Sequence, residues 1–128
     1  MKKILCIEDD PDIAEIIEMA LTDRYQLMII TDAREVQAAL PIFIPDLILI
    51  DNYIGQVQAA DVIQEIKKLA GFRYTPFILC SGHADIQTIA TEIGANAHLE
   101  KPFGLADLYN TLEEVLSRVS SQLPNEAT

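Results

Sequence analysis

Four short segments of this sequence hold residues able to handle a hard cation or a phosphoryl group: Glu8-Asp9-Asp10, Asp51, Ser81 and Lys101. Clustered carboxylates repel, so bringing them together costs stability unless a proton or a cation intervenes. A divalent ion such as Mg²⁺ takes oxygen ligands, few of them from protein, and keeps its other positions for water and phosphate. Lysine supplies a point charge for one phosphoryl oxygen, and a serine hydroxyl can donate to another. Carboxylate nucleophiles that form aspartyl phosphates are a known solution to phosphoryl transfer, which needs positioning and neutralised oxygen charge. Each residue also has a plain structural reading. Asp10 before Pro11 is a helix cap, Asp51 a loop residue, Ser81-Gly82 a turn, and Lys101-Pro102 a surface dipeptide open to a cis bond. The set gains meaning only if the fold gathers it on one edge.

The elements that could do so are short apolar runs alternating with amphipathic stretches. Strands are expected over residues 4–7, 25–30, 47–50, 77–80 and 97–99, the last from its place in the alternation. Runs such as Leu47-Ile48-Leu49-Ile50 suit strands buried on both faces of a parallel sheet. Helices are expected from Pro11 to Leu21, capped by Asp10, and from Thr31-Asp32 to Leu40, ended by Pro41. A third is expected over residues 60–70, with Gly71 as its stop, and a fourth over 85–93, closed by Gly94. The last spans residues 105–119, with Leu108, Leu112, Val115 and Leu116 at helical spacing. This order predicts an α/β, doubly wound parallel sheet with helices on both faces, one domain over residues 1–119 and a frayed polar tail over 120–128. In such sheets ligands bind beyond the carboxyl ends of the strands. Those ends run into Glu8-Asp9-Asp10, Asp51, Ser81 and Glu100-Lys101-Pro102.

Composition narrows the partners. Half of the 128 residues are hydrophobic and none is Trp, so the core should be aliphatic. Twenty acidic against 9 basic residues give a net charge of −11, a field that repels nucleic acid, and Lys2-Lys3 and Lys67-Lys68 are too short to override it. No direct nucleic-acid contact is expected. No apolar run approaches a membrane span, and Glu8-Asp9-Asp10 cut the first apolar run off too early for a signal peptide, so a cytoplasmic protein is expected. Cys6 and Cys80 lie in apolar runs without metal-ligand spacing and read as small core residues.

Several stretches resemble one known family. Residues 3–11, Lys-Ile-Leu-Cys-Ile-Glu-Asp-Asp-Pro, are similar to the opening of response-regulator receiver domains of two-component signalling. Residues 45–51, ending in Asp51, resemble the stretch carrying their phosphoacceptor; residues 76–82 resemble their fourth strand with its Ser/Thr; residues 94–103 resemble their fifth strand and lysine. The resemblance covers nearly the whole chain and implies a flavodoxin-like sheet of five strands in the order 2-1-3-4-5, with five helices. Under that order Cys6 and Cys80 lie two strand spacings apart, roughly 9–10 Å, too far for a disulfide. The resemblance also implies roles. Glu8, Asp9, Asp51 and the backbone carbonyl of Tyr53 would hold Mg²⁺, and Asp51 would take a phosphoryl group from the phosphohistidine of a sensor kinase or histidine phosphotransfer protein. Ser81 and Lys101 would bind the phosphoryl oxygens. The protein would catalyse only its own phosphorylation and dephosphorylation, and would signal as a stand-alone receiver by binding a downstream protein on the last strand and the last two helices.

Three positions depart from the family pattern. His98 stands where an aromatic switch residue is usual; it is either the switch or an exposed polar residue. Gly55 replaces a common proline, predicting a less rigid loop after Asp51. Tyr53 and His83, two residues past Asp51 and Ser81, would border the phosphoryl site. Other readings are a phosphorelay intermediate that passes phosphate onward to a histidine and a degenerate receiver that binds without switching. A phosphatase of the haloacid-dehalogenase style would need an aspartate where Tyr53 stands.

Overall fold

The structure is a computed structural model and describes residues 1–122. Alternation of apolar and amphipathic segments yields β1 (Lys3–Ile7), α1 (Pro11–Leu21), β2 (Gln26–Ile30), a 3-10 turn (Ala33–Glu35), α2 (Val36–Phe43) and β3 (Leu47–Asp51). Two short strands follow, β4 (Tyr53–Ile54) and β5 (Val57–Gln58), then α3 (Ala59–Lys68), β6 (Phe77–Ser81), α4 (Ile86–Ile93), β7 (Ala97–Glu100) and α5 (Leu105–Gln122). The main sheet is parallel throughout, in the order β2-β1-β3-β6-β7. With the small β4-β5 hairpin set aside, this is the expected 2-1-3-4-5 sheet with five helices.

Alternation along the central strands divides the interior into two cores. Leu5, Ile7, Ile48, Ile50, Phe77 and Leu79 face α2, α3 and α4, where Leu40, Val62, Ile63, Ile66 and Ile86 cover them. Ile4, Cys6, Leu47, Leu49, Ile78 and Cys80 face α1 and α5, meeting Ile17, Leu21, Leu108, Leu112 and Val115. Successive side chains of a strand point to opposite faces, so a buried central strand must be apolar at every position. Cys6 and Cys80 are free thiols within the second core, on strands separated by β3. Burial pushes the Cys6 thiol up to about 12, so it stays protonated and behaves as a small apolar group.

Helix ends follow local chemistry at α1, where Asp10 accepts from the N–H groups of Asp12 (2.9 Å) and Ile13 (3.4 Å). At α4, Gly94 closes the helix in the left-handed conformation, as expected. Elsewhere packing overrides the local signals. The second helix does not run from Thr31-Asp32 to Leu40: a 3-10 turn capped by Asp32 comes first, and α2 continues through Pro41 to Phe43. Interior proline is unfavourable, but Val36, Leu40 and Phe43 pack on the core and hold the segment helical. The third helix stops at Lys68, short of Gly71, because the chain turns at Leu69 to bring both Leu69 and Phe72 into the same core. The last helix reaches Gln122, beyond the expected 119; the rest of the expected tail lies outside the described residues.

Two neighbours on α2 give a test of the core assignment. Leu40 is fully buried and Ile42 is 79% exposed. Leu40→Ala should cost about 2–5 kcal/mol in urea unfolding, and Ile42→Ala less than about 0.5 kcal/mol. Similar losses for both would contradict the placement of α2.

Candidate functional site

The parallel register delivers the chemistry-bearing residues to one edge. Ile7 pairs with Ile50, Asp51 with Cys80, and Ser81 with Glu100, so the next residues on β1 and β7, Glu8 and Lys101, emerge beside Asp51 and Ser81. Backbone bonds past the strand ends hold this edge together: Glu8 N–H to Ile30 carbonyl, Asn52 N–H to Cys80 carbonyl, and Lys101 N–H to Ser81 carbonyl. The peptide bond between Lys101 and Pro102 is cis.

Lys101 is the hub of the site. Its Nζ lies 2.8 Å from Glu8 Oε1 and 3.2 Å from Asp51 Oδ1. Burial works against the charged ammonium, but the bond to Glu8 and the charge of Asp51 outweigh it and raise the lysine above its ordinary value. Lys101 is therefore a fixed positive charge. Glu8 is almost wholly buried, and burial pushes its carboxyl upward while Lys101 and the Asp10 N–H pull it back. Both Glu8 oxygens are thus engaged, one by Lys101 and one by the Asp10 N–H at 3.2 Å.

Asp51 is largely shielded and asymmetric. Its Oδ1 accepts from the Asn52 N–H at 2.9 Å and faces Lys101, which leaves Oδ2 as the oxygen able to attack. Asp9 is exposed, and its Oδ2 accepts from the Gly55 N–H at 2.7 Å. Glu8, Asp9 and Asp51 each offer a carboxylate oxygen within 4.8 Å of the others. At that separation each pair repels by of order 1–4 kcal/mol, from water-like to effective-20 screening. One lysine against three carboxylates leaves two negative charges uncompensated. Closely spaced oxygens, uncompensated charge and no soft ligand suit a hard divalent cation such as Mg²⁺. Asp9 and Asp51 are the better-placed ligands, because Glu8 is already committed to Lys101.

Ser81 is buried at the end of β6, and its Oγ accepts from the His83 N–H at 3.0 Å. The hydroxyl proton therefore points elsewhere and can be donated. Tyr53 begins the hairpin two residues past Asp51; its side chain is half-exposed, and its hydroxyl accepts from Gln58 Nε2. His98 lies on edge strand β7 opposite Leu79, with its ring exposed to solvent. The segment expected to be less rigid is in fact a paired hairpin: Tyr53 pairs with Gln58 and Ile54 with Val57. Gly55 adopts the positive φ of +63° its turn requires and anchors the hairpin to Asp9. Sequence reasoning missed this pairing and the His83 hydrogen bonds; the alternation of Tyr53-Ile54 and Val57-Gln58 about Gly55 was the available signal for the first.

The basic pairs are occupied as surface groups. Lys68 pairs with Glu65, and Lys67 lies over the Phe77 ring. Among the described residues no helix is long and apolar enough to cross a membrane.

Comparison with known proteins agrees with this edge. The chain is 34% identical to the transcriptional regulatory protein KdpE of Staphylococcus aureus over 83% of this chain and 46% of that protein. It spans about half the length of the curated relatives it matches. Among solved structures, the N-terminal domain of the nisin resistance regulator NsrR, a lantibiotic response regulator, is 28% identical and superposes with a TM-score of 0.79, over 91% of this chain and 98% of that one. A CheY-like response regulator receiver domain protein from Methanospirillum hungatei shares the fold, with a TM-score of 0.83 at 23% identity over 95% of this chain and 98% of that one. The profile of the response regulator receiver domain matches residues 4–113. On that match and this fold, the chain belongs to the response regulator receiver domain family.

Proposed function

We propose that this protein is a phosphoacceptor switch of a two-component or phosphorelay system, taking a phosphoryl group from a phosphohistidine onto Asp51 and signalling through protein–protein contact. The observation that carries this reading is the Lys101 ammonium bridging Glu8 and Asp51 beside an acidic group with room for a cation. In the transfer, Asp51 Oδ2 forms the new O–P bond as the P–N bond to the donor imidazole breaks, and the donor nitrogen keeps the electron pair. Lys101 neutralises one phosphoryl oxygen and the Ser81 hydroxyl donates to another. Mg²⁺, when bound through Asp9 and Asp51, supplies further neutralisation of charge on the transferring oxygens. Water later cleaves the acyl phosphate and resets the switch. The protein acts only on its own phosphorylation state.

The surroundings suit a protein donor. Beside Lys101 an apolar groove of about 300 Å³ is lined by Ile13, Ile16, Ile17, Pro102 and Phe103, and Ile16 is 57% exposed. A kinase or histidine phosphotransfer protein seated there would bring its phosphohistidine to the Asp51 edge. For output, β7 with α4 and α5 forms the opposite flank, where His98 is exposed. A cytoplasmic location belongs to the same reading.

Two experiments test it. Incubation with acetyl phosphate and Mg²⁺, followed by mass spectrometry, should place one phosphoryl group on Asp51, and Asp51→Asn should carry none. Modification elsewhere, or equal modification of the variant, would sink the reading. For the cation, Mg²⁺ at about a hundred times its Kd should stabilise the native state by about 2.7 kcal/mol, seen as a rise in Tm. Asp9→Asn should lose that rise, yet melt above the parent without Mg²⁺, because one repelling charge is gone and the amide oxygen can still accept from Gly55. A variant that responds to Mg²⁺ like the parent would remove Asp9 from the cation site.

A further inference from the structure

One residue beside the site has more hydrogen bonds than its place in an exposed turn requires. His83 donates its backbone N–H to Ser81 Oγ (3.0 Å), accepts the Asp85 N–H at its ring Nδ1 (3.0 Å), and accepts the Ile86 N–H at its carbonyl (3.2 Å). Helix α4 begins at Ile86, and Asp85, at its N-cap, makes no side-chain capping bond. The amide donors at the start of a helix have no partners within it and need outside acceptors. Here two consecutive ones, those of Asp85 and Ile86, are both satisfied by His83. The same residue therefore caps α4 and holds the hydroxyl that would meet the phosphoryl group.

We propose that His83 is a positioning residue, which aims the Ser81 hydroxyl at the phosphoryl site and transmits displacement of that hydroxyl to the first turn of α4. With one Oγ lone pair filled by the His83 N–H, the hydroxyl proton is directed away from the turn and is available to a phosphoryl oxygen. If a phosphoryl group draws Oγ toward Asp51, the bond to the His83 N–H is the first to be strained. His83 cannot shift without disturbing the two amides it caps, so the start of α4 feels the change. The turn also has a neighbour to push against, since a side chain at Gly82 would lie 3.9 Å from the Lys101 carbonyl oxygen. This route needs no movement of His98, whose ring is already in solvent. Acceptance of the Asp85 N–H at Nδ1 also demands that the neutral imidazole carry its proton on Nε2.

The coupling rests on the reading of Asp51 as phosphoacceptor; the tether itself does not. Nitrogen-15 NMR of the full chain, with the imidazole neutral, should show His83 protonated at Nε2; a proton on Nδ1 would overturn the tether. Amide exchange at Asp85 and Ile86 should quicken about fivefold in His83→Ala, the loss of roughly one hydrogen bond. His83→Asn, whose side-chain oxygen stands near the position of Nδ1, should restore most of the protection. Addition of acetyl phosphate and Mg²⁺ should then change exchange at these two amides in the parent and in His83→Asn, but not in His83→Ala. An alanine variant with parental protection, or a phosphorylated parent whose two amides do not respond, would overturn the proposal. Failure to form any phosphate on Asp51 would instead overturn the functional reading and take the coupling with it, while the tautomer and the basal exchange would still report the tether.

Discussion

The ion pairs of Lys101 are the constraint around which this edge of the protein is built. Three carboxylates crowd into less than 5 Å, and one ammonium, held 2.8 Å from Glu8 and 3.2 Å from Asp51, makes that crowding tolerable. The compensation is incomplete. A fully neutralised cluster would be a structural ion-pair network with no use for a cation or a phosphoryl donor; this one retains negative charge at Asp9 and Asp51. The same interaction divides the acids by role. Glu8 is buried and committed to the lysine, Asp51 keeps one oxygen clear, and Asp9 stays at the surface.

That geometry depends on register. Lys101 reaches Glu8 and Asp51 because β1, β3, β6 and β7 end at matched heights, each pairing extending to the last residues before the site. A parallel sheet buried on both faces has its register set by packing, since a one-residue slip would exchange the residues of the two cores. Leu5, Ile7, Ile48 and Ile50 belong to one core and Ile4, Cys6, Leu47 and Leu49 to the other, so the placement of Asp51 is determined by the aliphatic side chains before it.

Around this fixed edge stand two local devices. The β4-β5 hairpin leans on Asp9 through the Gly55 amide, and the turn after β6 leans on Ser81 through His83. Both place backbone donors on side chains that the chemistry would use. Occupation of the site therefore reaches the flanking loops directly, by competing for the same oxygens.

Much of this was legible in the sequence. Apolar runs of strand length, separated by amphipathic segments, determined the parallel α/β order, and the residues following those runs named Glu8, Asp9, Asp51, Ser81 and Lys101 as one group. Hydrophobic periodicity and chain-end chemistry are local properties, and local properties can be read along a chain. Helix ends were less legible wherever a local stop competed with distant packing: Pro41 did not end α2, and α3 ended before Gly71, because burial of Phe43, Leu69 and Phe72 decided both. The division of labour among the acids, the Asp51 oxygen left clear, the hairpin held to Asp9 and the three bonds of His83 were decided by the tertiary structure alone. Each depends on distances between residues far apart in the chain or on the direction of a single N–H group, and residue order encodes neither until the sheet has brought its strand ends together.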